Sequence, residues 1–494
     1  MQLSRLRQAM AAAMATVLLA GCGTSDASDD RTTTSTPATD ATTVAEALAE
    51  NIEVETGDIS YGDADLVDVA LSGTSATSDS DAVRSDDGTV TITAPGTYRL
   101  HGELTGQVVV DSSADGVVRL VLDGARIASD TTSALNVEDA ESVVVVLADG
   151  SENALADAST HEDTSEDAPT GALHSTADLT IGGTGALAVT GNSNNGIVGK
   201  DGLVITGGSI AVTSVDDGII GKDYLVVEAG TVDVDAVDDG IKSDNTDPGT
   251  GFVLVEGGAV RVASQDDGIK GTQVLVADGD VDVTGSIEAM EGSLIIIDGG
   301  DVELHSADDG INVASSDDSA ATDGPPGSGP GGGMAADSSL GLHINGGTVE
   351  VWSSGDGLDS NGDATITGGD VTVYGPTSAG NGALDVNGTF EIAGGTLLAS
   401  GSAGMMTAPA TDSPQGWIAT ALPATAPAGS EVTVTVTDAD GEELAAYTIE
   451  KDYASVVYSS AAIEPGATYT VNVNGTDTDV VAGDAPAGGH GPMG

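Results

Sequence analysis

Basic side chains are nearly missing from this sequence: 13 Lys and Arg stand against 79 Asp and Glu, a formal net charge of −66 over 494 residues. Binding to phosphate backbones relies on Lys and Arg displacing counterions, so a nucleic-acid partner is excluded, and anionic membrane surfaces are excluded on the same ground. Aromatic residues make up only 2% of the chain, which rules out a core built on Phe, Tyr and Trp. The 39% of hydrophobic residues must then form an aliphatic, fine-grained core. Cysteine occurs once, at Cys22, so no intrachain disulfide forms and stability falls to packing or bound ions.

The Ala-rich apolar run from Ala9 to Ala20 is too short to span a bilayer. Arg5 and Arg7 precede it and Leu19-Ala20-Gly21-Cys22 closes it, the pattern of an export signal ending in a bacterial lipobox. This predicts a signal peptide over residues 1–21 and a lipid-modified Cys22 that holds an exported protein at the extracytoplasmic cell surface, each buried CH₂ contributing about 0.8 kcal/mol. Residues 22–50, with few large apolar side chains, read as a disordered tether, and residues 483–494 as a disordered tail. Residues 315–339, containing Gly324-Pro325-Pro326 and Gly331-Gly332-Gly333, read as an inserted surface loop.

Between Leu179 and Ser400 one phrase recurs: an alternating apolar strand, Gly-Gly or a near equivalent, a second alternating strand, then Asp-Asp-Gly-Ile. The glycines opening the second strand are Gly183, Gly208, Gly230, Gly258, Gly279, Gly300, Gly347, Gly369 and Gly395. Their spacings are 25, 22, 28, 21, 21, 47, 22 and 26, and looping out the insert of 25 residues turns 47 into 22. A period of about 22 residues with short strands and glycine corners is that of a parallel β-helix, each coil burying its inward face on its neighbours. Leucine-rich repeats share the period, but their Leu-x-x-Leu-x-Leu pattern and Asn ladder are missing.

Side chains two apart share a face, so offsets two and four from each glycine point inward, as in Ile210 and Val212 or Val349 and Val351. Offsets three and five face solvent. Upstream strands from Thr89 to Leu147 supply the first coils, so that the all-β solenoid occupies residues 51–405. Residues 406–482, alternating but without the glycine period, form a β-rich cap over its open end.

Asp216-Asp217-Gly218, Asp238-Asp239-Gly240, Asp266-Asp267-Gly268 and Asp308-Asp309-Gly310 mark one corner of the coils, and Gly355-Asp356-Gly357 with Asp359 continues the series. Glycine is expected to supply the turn. Two carboxylates about 5 Å apart repel by about 3 kcal/mol at an effective dielectric of 20, so the column calls either for raised pKa values or for a cation, and hard oxygen ligands suit Ca²⁺. A solvated acidic corner is the competing reading. No EF-hand loop or calcium nonapeptide occurs. Lys200, Lys222, Lys242 and Lys270 follow the repeat glycine and face outward, either neutralising the acids or, beside a cation, serving as a base for sugar β-elimination.

His305, Trp352 and Tyr374 share offset five on consecutive coils, predicting an exposed ladder of rings for the apolar faces of sugars, with Glu303 and Glu350 accepting hydroxyl hydrogen bonds. Stacking that merely stabilises the sheet is the alternative.

The strings Gly96-Thr97-Tyr98-Arg99-Leu100-His101-Gly102-Glu103-Leu104, Val121-Leu122-Asp123-Gly124, Gly196-Ile197-Val198-Gly199-Lys200-Asp201, Asp217-Gly218-Ile219-Ile220-Gly221-Lys222-Asp223 and Asp356-Gly357-Leu358-Asp359-Ser360-Asn361-Gly362 resemble the carbohydrate-binding β-helix family of polysaccharide-degrading bacteria. The resemblance covers about residues 58 to 475. It implies a right-handed parallel β-helix similar to family 9 pectate lyases, bound calcium, and affinity for cellulose-like and acidic, pectin-like glycans without established catalysis. Glu288-Ala289-Met290-Glu291-Gly292 departs from the expected corner and counts against an unbroken cation ladder. The reading is a monomeric, calcium-stabilised, surface-anchored polysaccharide-binding lipoprotein that is not an enzyme. A structural or adhesive stalk, or a calcium-dependent polysaccharide lyase, are the competitors.

Overall fold

Three short strands per coil stack, coil upon coil, into three parallel sheets in the computed structural model, which describes residues 40–163, 165, 168–315, 336–436 and 442–486. The export signal, Cys22, the tether up to residue 39, most of the expected insert (316–335) and the tail from 487 lie outside the described residues. The β-helix runs for about 12 turns. One sheet follows the repeat glycines, in strands such as Ser209–Ser214, Thr231–Asp235 and Ala259–Ala263. Its register is in step, Ile210 opposite Val232, Val232 opposite Val260 and Val260 opposite Val281. A second sheet follows the Asp-Asp-Gly corners, with Ile219, Ile241, Ile269, Met290, Ile311, Leu358 and Leu384 stacked in one column. A third comprises strands such as Tyr224–Val227 and Phe252–Val255.

Residues at the inward offsets of the repeat are buried: Ile210, Val212, Val232, Val234, Val349, Val351, Val371 and Val373 are all at most 2% exposed. Aliphatic side chains from the three sheets fill the bore as one continuous cluster. The nine strand-opening glycines all adopt positive φ, from 73° at Gly395 to 106° at Gly183, a region that disfavours any other residue.

The third sheet is apolar on both faces, because something covers its outside. Residues 40–58 form a strap along it. A helix, Val44–Glu50, opens the strap; the Thr43 side chain caps it by accepting from the Glu46 amide, and the Glu46 carboxylate accepts from the amide and hydroxyl of Thr42, the residue before the cap. Ala41, Val44, Ala47 and Leu48 pack on Val204, Tyr224, Val226, Phe252, Leu254 and Ile296. Polar contacts step down the coils: Thr42 carbonyl to Asn345, Val44 amide to Asp298, Ile52 amide to the Gly249 carbonyl, Glu55 amide to Tyr224, Gly57 amide to Thr180, and Asp58 carbonyl to Arg119. Residues 40–50, expected as part of the disordered tether 22–50, are therefore ordered. Residues 40–50 carry enough small apolar surface to dock on a sheet that is itself apolar outside.

The cap closes the far end by reversing strand direction. Tyr453–Ser459 pairs antiparallel with Thr396–Gly401 of the last coil and with Trp417–Ala426. A separate four-stranded antiparallel sheet, Ser430–Val436, Glu443–Ile449, Thr468–Val473 and Thr476–Val481, adjoins it.

Candidate functional site

The corner glycines owe their identity to crowding rather than to a turn. None of Gly218, Gly240, Gly268, Gly310 and Gly357 has positive φ. A Cβ on Gly218 would lie 2.3 Å from Val234 Cγ1, and one on Gly240 2.2 Å from Val262 Cγ1, so the corner needs a residue without a side chain to let the next coil's inward valine pass. That corrects the expected role.

With the glycine packed so closely, the Asp before it is drawn inward. Asp217, Asp239 and Asp267 are buried, and each coil's corner side chain accepts a hydrogen bond from the following coil's backbone amide: Asn195 from Asp217 N–H at 3.0 Å, Asp217 from Asp239 at 3.2 Å, Asp239 from Asp267 at 3.1 Å. The ladder resumes with Asp309, which accepts from Asp356 at 2.6 Å, and Asp356, which accepts from Gly382 at 2.5 Å. Between Asp267 and Asp309 this amide ladder is interrupted at Glu288, as the departure in the sequence implied, while the backbone stays in register. The Gly268 amide donates to the Glu288 carbonyl as other corner amides donate to Asp carbonyls, so Glu288 takes the Asp place and Ala289 the glycine place. The more exposed outer column, Asp216, Asp238, Asp266 and Asp308, is broken as well, by Ile287 and Gly355.

Four groups of carboxylates bring ligand oxygens within 4.8 Å of one another: Asp216 with Asp217 and Asp238; Asp238 with Asp239 and Asp266; Asp267 with Glu288 and Glu291; and Asp309 with Asp356 and Asp359. Nine of the ten expected acids fall in these groups; Asp308 falls in none, and Glu288 and Glu291 join unforeseen. Sequence spacing alone conceals them, because the two residues align with the Asp and Lys positions of other corners only once Met290 is seen to stack on Ile269.

The groups differ in what neutralises them. Lys242 Nζ lies 2.7 Å from Asp239 and 3.8 Å from Asp217, while Lys270 Nζ lies 2.5 Å from Asp267 and 2.6 Å from Glu291. Despite the cost of burial, these carboxylates hold both ammonium groups above the usual lysine range. Lys222 pairs with Asp244 at 2.6 Å, and Lys200 is exposed. No Lys or Arg among the described residues forms an ion pair with Asp309, Asp356 or Asp359. Burial, with mutual repulsion added, pushes Asp309 up to about 7 and Asp356 to about 6, against the lowering effect of their amide donors, and drives Asp359 well above the carboxylate range. Glu288 is pushed up to about 7, chiefly by burial. An uncompensated oxygen-rich group of this kind fits a hard divalent cation, with Asp309, Asp356 and Asp359 as the ligands available.

The ring ladder stands on the same coils, three or four residues before this corner. His305 and Trp352 stack with centroids 4.5 Å apart and planes 5° apart, and Trp352 meets Tyr374 at 5.0 Å and 30°. Glu303 accepts from or pairs with His305 Nε2 at 2.9 Å and fixes its ring. The expectation of three exposed rings needs correction. Tyr374 is buried against Ile418, Tyr453 and Tyr458 of the cap, which comes down over the last coils, and Lys451 Nζ donates to the Ser353 carbonyl beside it. The exposed platform is therefore His305 and the half-buried Trp352, flanked by Glu303 and Glu350. Burial, with Glu303 and Glu450 nearby, raises the Glu350 pKa.

A profile of the carbohydrate-binding domain-containing protein family matches residues 86–382, a span that holds the acidic groups and the rings. The chain belongs to this family. A curated relative from Acetivibrio thermocellus, itself described as a carbohydrate-binding domain-containing protein, is 40% identical over 126 residues, which is 25% of this chain and 44% of the relative. The chain thus spans less than half the length of the curated relative it matches. Among solved structures, a gadolinium derivative of a polysaccharide lyase-like protein from C. thermocellum is similar at 34% identity and a TM-score of 0.45, covering 48% of this chain and 99% of that one.

Proposed function

We propose that this protein is an exported, lipid-anchored, non-catalytic polysaccharide-binding protein whose β-helix is stabilised by Ca²⁺. The observation that carries the reading is the pairing, on the same coils, of a stacked His305–Trp352 platform with the Asp309, Asp356 and Asp359 group that has no basic partner among the described residues. Ring faces suit the apolar faces of pyranose units, and Glu303 and Glu350 supply acceptors for hydroxyls. A chain at −66 repels an acidic glycan, so a uronic polymer is held through the cation rather than against it. The lysines favour binding over elimination: a Brønsted base must shed its proton, and Lys242 and Lys270 are clamped in charged form by carboxylates. Cys22 is the anchor, and Cys22→Ser is expected to move the protein from the membrane to the soluble fraction.

Affinity electrophoresis in cellulose-like and polygalacturonate gels, with calcium or with chelator, tests the reading. Trp352→Ala is expected to lower affinity at least tenfold for both glycans, and chelator to abolish the polygalacturonate shift alone. Undiminished retardation by polygalacturonate in chelator at low salt defeats the bridging. No retardation in any gel while calcium still raises the melting temperature leaves a structural stalk, and ultraviolet absorbance from unsaturated product establishes a lyase.

A further inference from the structure

The corner that carries the acids begins, several coils before the rings, with a different structure. Fourteen residues separate the strand Glu152–Ala156 from the strand Gly171–Ser175, of which 157–163, 165 and 168–170 are described, where the next coil needs only residues 192–194 to turn the same corner. The excursion is pinned at its base by Asp157, whose side chain is wholly buried. Asp157 accepts from the Asn192 amide at 2.5 Å and from Ser193 Oγ at 2.8 Å, and lies 2.9 Å from His161 Nε2. His161 Nδ1 lies 2.9 Å from the Pro169 carbonyl, so both nitrogens of the ring are engaged in holding the loop and neither is offered outward. The Thr170 amide donates to His174 Nδ1 at 3.3 Å at the other end.

A cavity of about 380 Å³ results, lined by Ser159, Thr160, Asp163, Ser165, Thr170 and Asn194 among others. Its volume lies within the range of roughly 300–1,000 Å³ usual for small-molecule sites. Asn194 stands in this wall, and among the described residues its shielded Oδ1 has no hydrogen-bond partner, a state that costs about 1–3 kcal/mol and that a bound hydroxyl relieves when the amide turns to the cavity.

We propose that this cavity is a second saccharide subsite, which takes a neutral sugar residue at a chain end or a short neutral oligosaccharide. Hydroxyls and an amide, each able to donate and to accept, dominate the lining, and the Asp163 carboxylate accepts from vicinal hydroxyls. A uronate is disfavoured, because the single cationic candidate in the wall, His161, has both nitrogens occupied. The class of ligand rests on the glycan-binding reading, but the site does not rest on the ring platform. Asn195, next to Asn194, and Asp309 are separated by five coils, about 24 Å at 4.8 Å per coil.

Isothermal titration of the full chain with cellohexaose, mannohexaose and xylohexaose, in chelator and in a Trp352→Ala background, separates the two sites. At least one of these is expected to bind still, and Thr160→Trp, placed at an exposed rim position, is expected to weaken it at least tenfold. Asn194→Ala is expected to lower affinity similarly while leaving the melting temperature unchanged or higher. If none of the three hexaoses binds in the Trp352→Ala background, or if Thr160→Trp and Asn194→Ala leave binding intact, the subsite does not exist. Failure of the ring platform has its own signature, polygalacturonate retardation unchanged by Trp352→Ala.

Discussion

Each corner glycine stands where the missing Cβ would strike the first branch of an inward valine on the next coil: Val234 for Gly218, Val262 for Gly240, Val283 for Gly268, Val351 for Gly310 and Val373 for Gly357. Between Gly218 and Gly357 one corner carries Ala289 instead, and by the register that stacks Val283 on Leu304 the inward residue above it is Leu304, which has no branch at Cβ. At this corner the two departures coincide, whereas Ala172, aligned with Gly196, lies under Val189. Leu304→Val is therefore expected to cost more than the roughly 1 kcal/mol of a lost methylene, and Ala289→Gly in the same chain to recover the excess, a coupling of about 1 kcal/mol or more in a urea double-mutant cycle. Additive effects would dismiss the steric account. This contact was illegible in the sequence, where Asp-Asp-Gly reads as turn chemistry; which atom a glycine makes room for emerges only when coils are superposed. The inward and outward alternation around Val349 and Val351 was legible, because it depends on period two and nothing else.

At the scale of elements, the strap decides how the outside of the third sheet survives in water. Tyr224, Val226, Phe252, Leu254 and Ile296 form an apolar stripe that a parallel β-helix without a cover would leave exposed. Ala47 sits at its centre with no exposed surface. Ala47→Asp buries a carboxylate with no partner and is expected to release residues 40–58, seen as new dye binding to apolar surface and new cleavage in the strap, with the β-sheet circular dichroism retained. Unchanged dye binding and cleavage would mean that the polar contacts from Asn345 to Arg119 suffice alone. The sequence does contain the helix signal Thr43-Val44-Ala45-Glu46, but short Ala-rich segments earn little from local propensity, and the stabilising partner lies well over a hundred residues away. The strands of the cap were legible for the opposite reason, since alternation in Tyr469–Val473 is a local property. What the cap covers, Tyr374 included, was not.

Across the whole molecule, charge sets the response to pH and to cations. Burial raises Asp217, Glu288 and Asp309 to about 7 and Asp356 to about 6, so in each case the folded state holds a proton that the unfolded chain has already lost above about 4. The folded state then binds more protons between about pH 4 and 7, and stability falls as pH rises through that window. His174, which burial pushes down to about 4, and His343, which burial also lowers, act in the opposite sense, but they are outnumbered by the raised carboxylates, Asp201 and Asp267 among them. Net repulsion at −66 adds to the decline. In chelator, the melting temperature is expected to be higher at pH 5 than at pH 7.5, contrary to the usual acid lability of proteins whose carboxylates are paired. A divalent cation held by Asp309, Asp356 and Asp359 competes with those protons, so calcium is expected to stabilise more at pH 7.5 than at pH 5 and to flatten the slope. Differential scanning calorimetry at both values, with and without calcium, checks it, and Asp309→Asn with Asp356→Asn supplies the contrast. Removing two buried charges is expected to raise the melting temperature in chelator at pH 7.5 and to erase most of the gain from calcium. If calcium stabilises this variant as much as the parent, the ion acts through another group of the acidic corner or through general screening of the surface, and the proposed bridging of acidic glycans beside the ring platform loses its cation.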